Sequence, residues 1–385
     1  MRTSFLPFSP PAIGPEEIAE VVDTLTSDWI TTGPKTRRFE SDFAQFIGAP
    51  GALAVFSATD AMQVALAALG TSPGDEIITT TMTFCSTVHV IEHLGARPVL
   101  VDVEPDTLCI DPKAVERAVT SRTKGVLPVH LYGHPCDLDP LLDLAKSRGL
   151  FVLEDAAHAL PARYKGRMVG TVGTATAFSF YATKNMTTAE GGMLTGDPDL
   201  LARARMWSLH GMSRDAYKRY SAEGSWFYEV VLPGFKCNMT DIQASLGLQQ
   251  LKKLPRFQDR RRQVVQRSQS ELGGLPEVET PTDRAEVESA WHIYPLRLHL
   301  EALRIGRSQF IEELRARNVG ASVHFIPVHV HPYYREKYGY SAHDFPVAAA
   351  HYERLVSLPL HPRLSDGDVD DVIEAVRDVV ESFRS

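Results

Sequence analysis

FVLEDAAHALPARYKGRMVGTVGTATAFSFYATKNMTTAEGGML, residues 151–194, holds the densest signal in the chain. It opens on an apolar run, Phe151 to Leu153, that ends in two carboxylates, Glu154 and Asp155. A short apolar run with an abrupt polar end suits a buried strand. Asp155 therefore stands where a strand gives way to a loop or to the first turn of a helix. Two more short runs, TATAFSF and GGMLTG, read as strands on either side of a loop that carries Lys184. That loop is poor in charge, with Ser179 before the lysine and Glu190-Gly191-Gly192 after it.

Working outward, the segments before residue 151 alternate between two textures. ALAVFS, EIITTT, RPVLVDV and GVLPVH are short and β-branched or apolar. DAMQVALAALG, STVHVIEHLG and DLDPLLDLAKSRG space their apolar residues as helices do. This alternation predicts an α/β fold whose largely parallel sheet has helices on both faces. Further upstream, Glu16 to Ser27 reads as a helix, and WITTGPKTRRFESDFAQFIG as a turn at Gly33-Pro34 followed by a second helix. Downstream, a long helix is expected after Met239. Its charged stretch QDRRRQVVQRSQ reads as a solvated face. Beyond Gly273, HIYPLRLHL reads as a strand, GRSQFIEELRARNV as an amphipathic helix, and ASVHFIPVHVHPYY as a strand running into an aromatic loop. DGDVDDVIEAVRDVVESF closes the chain as a helix whose acidic first turn suits the helix dipole. The expected division is a large domain over 1–254 and a smaller α/β domain over 255–385.

Composition bounds the function. The 385 residues carry 40 basic and 48 acidic side chains, a net charge of −8, with 44% hydrophobic and 23% charged residues. That is the balance of a soluble globular chain of about two domains. With no long basic run, a nucleic-acid partner is not expected. No stretch approaches the roughly 20 apolar residues of a membrane span, so no membrane partner is expected either. The four cysteines, Cys85, Cys109, Cys136 and Cys237, form no CxxC pair; a metal site is not expected, and so few cysteines suit a reducing cytoplasm.

The candidate chemistry lies at strand ends, where open α/β sheets bind ligands. A carboxylate at Asp155 can hold the protonated ring nitrogen of pyridoxal phosphate (PLP) and keep the ring an electron sink; the same residue reads equally as a helix cap. A lysine amine serves such a cofactor when it is close and partly desolvated, and Lys184 stands in a stretch that could bury it. FSATDAMQVALAAL, residues 56–69, puts Ser57, Ala58 and Thr59 at a helix start, an anion site or merely a cap. Phe84 follows another strand end and could stack on a ring or fill a core. Ser179 could donate its hydroxyl to a phosphate.

Taken together, these segments resemble the DegT/DnrJ/EryC1/StrS sugar aminotransferases. The likeness runs nearly end to end through WITTGPKTRRFE, SATDAM, DEIITTTMTFCST, PVHLYGHPCDLDPL, EDAAHA, SFYATKN, EGGM, PGFKCNMTDIQASLGLQQL, HFIPVHVHPYY and VSLPLHP. The resemblance implies the aspartate-aminotransferase-like PLP fold type I, with a mostly parallel seven-stranded sheet and a smaller C-terminal domain. It implies that Lys184 carries the Schiff base, that Asp155 pairs with the ring nitrogen, and that His158 lies near the cofactor's phenolic oxygen. Phe84 then stacks on the ring, and Ser57, Ala58, Thr59 and Ser179 hold the phosphate. The family's phosphate site is completed by PGFKCNMTD of a second subunit, which implies a homodimer. Two departures stand out: Ala58 where many members have Gly, and Lys236-Cys237-Asn238 where many read N-x-R. The K-x-N form, with SAT, EDAAHA and AEGG, is similar to the subgroup of UDP-4-keto-arabinose aminotransferases. It implies amination at C4 of a nucleotide-linked keto sugar, with glutamate as donor, and leaves open whether Lys236 or Asn238 reaches the phosphate. Amination at another sugar carbon or of a keto-cyclitol, an aminohydroxybenzoate-synthase-like activity, and a non-catalytic regulator built on the same fold are the alternatives; Lys184 argues against the related dehydratases, which carry His there.

Overall fold

The computed structural model describes residues 2–212 and 227–385. Two N-terminal helices, α1 (Pro15–Thr26) and α2 (Pro34–Ile47), each start on a proline, which suits a position whose N–H has no partner within the helix. The chain then enters the alternating region as β1 (Ala52–Val55), α3 (Ala58–Ala68), β2 (Glu76–Thr80), α4 (Ser86–His93), β3 (Arg97–Val101), α5 (Pro112–Ala118), β4 (Thr123–Leu127), α6 (Leu138–Arg148) and β5 (Phe151–Asp155). A small hairpin, β6 (Arg163–Tyr164) and β7 (Arg167–Met168), leads into β8 (Ala175–Ser179), β9 (Gly192–Gly196) and α7 (Pro198–Ser208).

Seven of these strands form one sheet in the order β1-β9-β8-β5-β4-β2-β3. The pairs β2–β3, β2–β4, β4–β5 and β5–β8 are parallel, while β9 runs antiparallel to both its neighbours. β2 and β5 are buried at every residue, which explains why their sequences are near-continuous apolar or β-branched runs rather than alternating ones.

α8 (Asp241–Leu272) is opened by a capping box in which the Thr240 hydroxyl accepts from the Gln243 N–H and the Gln243 side chain bonds back to the Thr240 N–H. Its first half packs Leu248, Leu251 and Leu254 with Phe39, Phe43, Phe178 and Phe180. Its second half packs Val264, Val265 and Leu272 with Leu296, Leu298, Val356 and Val376. The helix thus joins the main sheet to a second one of β10 (Val278–Glu279), β12 (Tyr294–Leu298) and β13 (Leu355–Leu358). β11 (Val287–Glu288) pairs with β6. α9 (Arg307–Ala316), α10 (Pro332–Tyr338), α11 (Pro346–Tyr352) and α12 (Asp366–Phe383) complete the chain. None of the described helices is long and apolar enough to cross a membrane.

One expectation fails in a way that shapes the site. Residues 321–334 do not form a strand. They make one bridge, Ser322 to Ser357, then turn through a short 3-10 segment at Val328–Val330 into α10. Pro327 has no N–H to give a ladder. The Val328 N–H donates instead to the Thr81 carbonyl at 2.8 Å, and the His329 imidazole meets the Thr81 hydroxyl at 2.7 Å. The segment is tied to the main sheet beside the end of β2 and forms one wall of the cavity described next.

Candidate active site

A cavity of about 530 Å³ lies at the carboxyl ends of the parallel strands. Ser57 reaches it from the end of β1, Phe84 from beyond β2, Asp155 from the end of β5, and Ser179 from the end of β8. Ala58, Thr59, His158 and Lys184 line it as well. Eight of the ten residues expected from the sequence are therefore brought to one place, although they are spread over some 130 positions of the chain.

Asp155 is 4% exposed. One carboxylate oxygen accepts the Ala157 N–H at 3.0 Å and the other the Thr87 hydroxyl at 2.8 Å. Burial pushes its pKa up, while these two donors and the positive charges of Lys184 and His130 act against that rise. A bare helix cap would not need a second, buried donor from another helix. Lys184 is partly buried in the loop between β8 and β9, its N–H donating to the Tyr181 carbonyl at 2.9 Å. Burial pulls its ammonium down to about 8, with Asp155 opposing. An amine there is neutral in part near neutrality, as a nucleophile must be.

His158 is 6% exposed, and burial next to Lys184 holds its pKa well below the usual imidazole range. Its Nδ1 accepts the Tyr132 backbone N–H at 3.2 Å. The neutral ring must then carry its proton on Nε2. Two further histidines escaped the sequence reading. His292 and His324 also line the cavity; the His292 ring lies 4.5 Å from that of His158, centroid to centroid. Asn185 gives both its amide hydrogens to the Leu160 and Ala290 carbonyls, so its oxygen can only accept, and His292 Nδ1 donates to it at 3.0 Å. Burial keeps His292 well below its ordinary pKa and brings His324 to about 4. All three imidazoles are neutral at physiological pH. Phe325 stacks on His158 at 5.5 Å and meets Phe84 at 5.7 Å. The HFIPVHV segment that supplies His324 and Phe325 read as a strand, and no periodicity marks two residues of a wall.

Ser57 caps α3: its hydroxyl accepts the Asp60 N–H at 3.0 Å and donates to the Asp60 carboxylate at 2.7 Å. The first N–H groups of α3, at Ala58 and Thr59, remain as anion donors at a helix N-terminus. Gly192 makes this end possible, because a Cβ there would lie 2.3 Å from the Ser57 carbonyl carbon and 2.6 Å from the Ala58 nitrogen. Ser179 accepts the Tyr181 N–H at 3.3 Å and keeps its own proton to give. Lys236 and Asn238 are different. They lie beside the end of β1, with Asn238 bridged to Val55, but they do not line the cavity of their own chain. Lys236 Nζ donates to the Asn238 side-chain oxygen, and the Asn238 amide donates to the Thr32 hydroxyl.

Comparison with known proteins places this arrangement. The model of the DegT/DnrJ/EryC1/StrS aminotransferase family matches residues 11–377. The chain is 54% identical over 381 residues to the spore coat polysaccharide biosynthesis protein SpsC of Bacillus subtilis, covering 98% of each chain. Among solved structures, the putative sugar aminotransferase Spr1654 of Streptococcus pneumoniae superimposes in its PMP form with a TM-score of 0.93 at 39% identity, over 98% of this chain and 99% of that one. Its PLP form gives a TM-score of 0.92 at 38% identity, with the same coverage.

Proposed function

This chain belongs to the DegT/DnrJ/EryC1/StrS aminotransferase family as a PLP-dependent sugar aminotransferase, and we propose that it transfers the amino group of glutamate to C4 of a nucleotide-linked keto sugar. The observation that carries the reading is the pairing, in one cavity, of a partly buried lysine with a pKa of about 8 and a buried carboxylate whose oxygens are both engaged. The likeness of K-x-N, SAT, EDAAHA and AEGG to the 4-keto-arabinose subgroup supports C4.

The residues present suit the cofactor. Lys184 offers the amine that would bond it, Asp155 the anion for its ring nitrogen, Phe84 a face to stack on, and Ala58, Thr59 and Ser179 donors for its phosphate. When bound, PLP supplies an electron sink that stabilises negative charge at the carbon losing its proton. Lys184 Nζ, once free, takes a proton from the Cα of the amino donor and later returns one, as general base and then acid. It can accept that proton only when neutral, so its contribution rises with pH through about 8. His158, with its Nδ1 taken by the Tyr132 N–H, would have an Nε2–H to offer the cofactor's phenolic oxygen. The neutral state of His292 and His324 keeps added positive charge away from Lys184, which would otherwise depress its basicity.

The acceptor and donor need a closed site, and the exposed surface supports a second copy of the chain as its missing wall. Ile18, Val22 and Leu25 form an exposed row on α1 at helical spacing, and Phe56, next in sequence to the cavity residue Ser57, is exposed as well. Apolar groups gathered this way mark an interface, and a two-fold dimer is the commonest solution. In that assembly Lys236 or Asn238 would help hold the phosphate bound by the partner subunit. To test the function, the PLP-loaded protein is incubated with glutamate and a panel of UDP- and dTDP-linked 4-keto and 3-keto sugars, and products are identified by mass and NMR. A 4-amino sugar supports the reading; amination only at C3, or of none of the panel, overturns it.

A further inference from the structure

Asp155 is the most buried charge in the cavity, and its hydroxyl partner does not come from its own strand. Thr87 stands in the first turn of α4, one turn beyond Phe84, and is fully buried. Its hydroxyl donates to Asp155 at 2.8 Å. The Thr83 hydroxyl, also buried and in the cavity wall, lies 2.8 Å from the Thr87 hydroxyl. A hydroxyl has one proton. Because an ionised Asp155 can only accept, Thr87 must give its proton to the carboxylate. The Thr83–Thr87 contact then has one possible sense, with Thr83 donating.

We propose that Thr83 and Thr87 form a two-hydroxyl relay that positions Asp155 and holds it as an anion against its burial. The reading rests on the assignment of Asp155 to the cofactor's ring nitrogen and names what makes that assignment work. Two hydroxyls in a row polarise each other in the same direction, so the inner one is a stronger donor than an isolated threonine. The Ala157 N–H fixes the first oxygen and Thr87 the second, and the carboxylate plane is thereby set from two elements, the loop after β5 and α4. The other charged or titratable groups facing Asp155 are Lys184, from the loop after β8, and His130, from beyond β4. His130 is itself occupied by Glu154, at 2.8 Å. Thr87 and Thr83 are positioning residues; neither is required to touch substrate.

The test compares Thr87→Val, which keeps the shape and removes the donor, with Thr87→Ser, which restores a hydroxyl. In the full-length cofactor-free protein, the Asp155 carboxyl is titrated by ¹³C NMR, its resonance identified by its loss in Asp155→Asn. Thr87→Val should raise the Asp155 pKa by about one unit or more, as expected when a hydrogen bond to a charged group is lost. Thr87→Ser should return it to within a few tenths. An unchanged titration in Thr87→Val overturns the relay. If Thr87→Val does not fold, Thr83→Val decides: a smaller rise in the same direction supports the relay and no change overturns it. In the PLP-loaded protein, the ¹⁵N shift of the cofactor ring nitrogen should move toward the unprotonated value in Thr87→Val. A titration that moves while the ring nitrogen does not leaves the relay standing and refutes the pairing of Asp155 with that nitrogen.

Discussion

Asp155 and Lys236 are assigned to the same cofactor by resemblance, yet the fold treats them in opposite ways. Asp155 is 4% exposed, with both oxygens engaged by its own chain. Lys236 is exposed, and among the described residues its amine bonds to Asn238, two residues away. The same contrast separates the floor of the cavity from its rim. On the floor, Thr87, Ala157, Tyr132 and Asn185 settle the protonation and orientation of Asp155, His158 and His292 within one chain. At the rim, Phe84 and Tyr181 line the cavity yet stay largely exposed. On the proposed reading the chemistry and the first phosphate donors, Ala58, Thr59 and Ser179, belong to one subunit, and a second copy would add Lys236 or Asn238 from outside.

The comparison breaks most readily at the floor. Asp155→Asn keeps the shape and a helix cap but removes the charge. The half-reaction with glutamate, followed by stopped-flow absorbance, should slow by about 10²–10³-fold, equivalent to about 2.7–4 kcal/mol of barrier. Rates within about threefold would mean that Asp155 is only a cap. On the outer surface, Ile18→Asp with Val22→Asp places two charges on the exposed row of α1. Light scattering should show a dimer for the parent and a monomer for the variant, with PLP held about tenfold more weakly. A dimer that persists in the variant moves the interface elsewhere. The smallest effect is expected from Lys236→Ala. Removing a solvent-accessible cation from a phosphate is worth about 1 kcal/mol or less, so the PLP dissociation constant should rise only severalfold, with turnover unchanged once cofactor is saturating. A collapse of turnover at saturating PLP would place Lys236 in the chemistry instead.

Part of the cavity was legible in the sequence because Ser57, Phe84, Asp155 and Ser179 each lie at or just beyond the end of a strand. A run such as FVLED announces where a buried strand ends, and parallel strands of one sheet end on one side. That geometry carries Ser57, Phe84, Asp155 and Ser179 to a common edge without knowledge of the packing. His292 and His324 were not legible, since they come from the smaller sheet's approach and from a segment whose donors go to Thr81 rather than to a strand neighbour. The relay behind Asp155 was hidden for another reason: Thr83 and Thr87 look like ordinary helix-start threonines until the partner 68 residues away is in place. The seven-residue helices α5, α10 and α11 are too short for helical periodicity to declare itself. The role proposed for the 233–241 segment came from likeness alone, because a group expected to act on another copy leaves no trace in its own chain's spacing.

If Lys184 is the amine that holds the cofactor, borohydride reduction will show it, since it fixes PLP to whichever amine carries it. The PLP-loaded protein is reduced, digested and mapped by mass spectrometry. The account predicts the pyridoxyl group on the peptide containing Lys184, and on no other lysine in comparable yield. Its appearance on another lysine, or an unmodified Lys184 in fully loaded protein, would contradict the account.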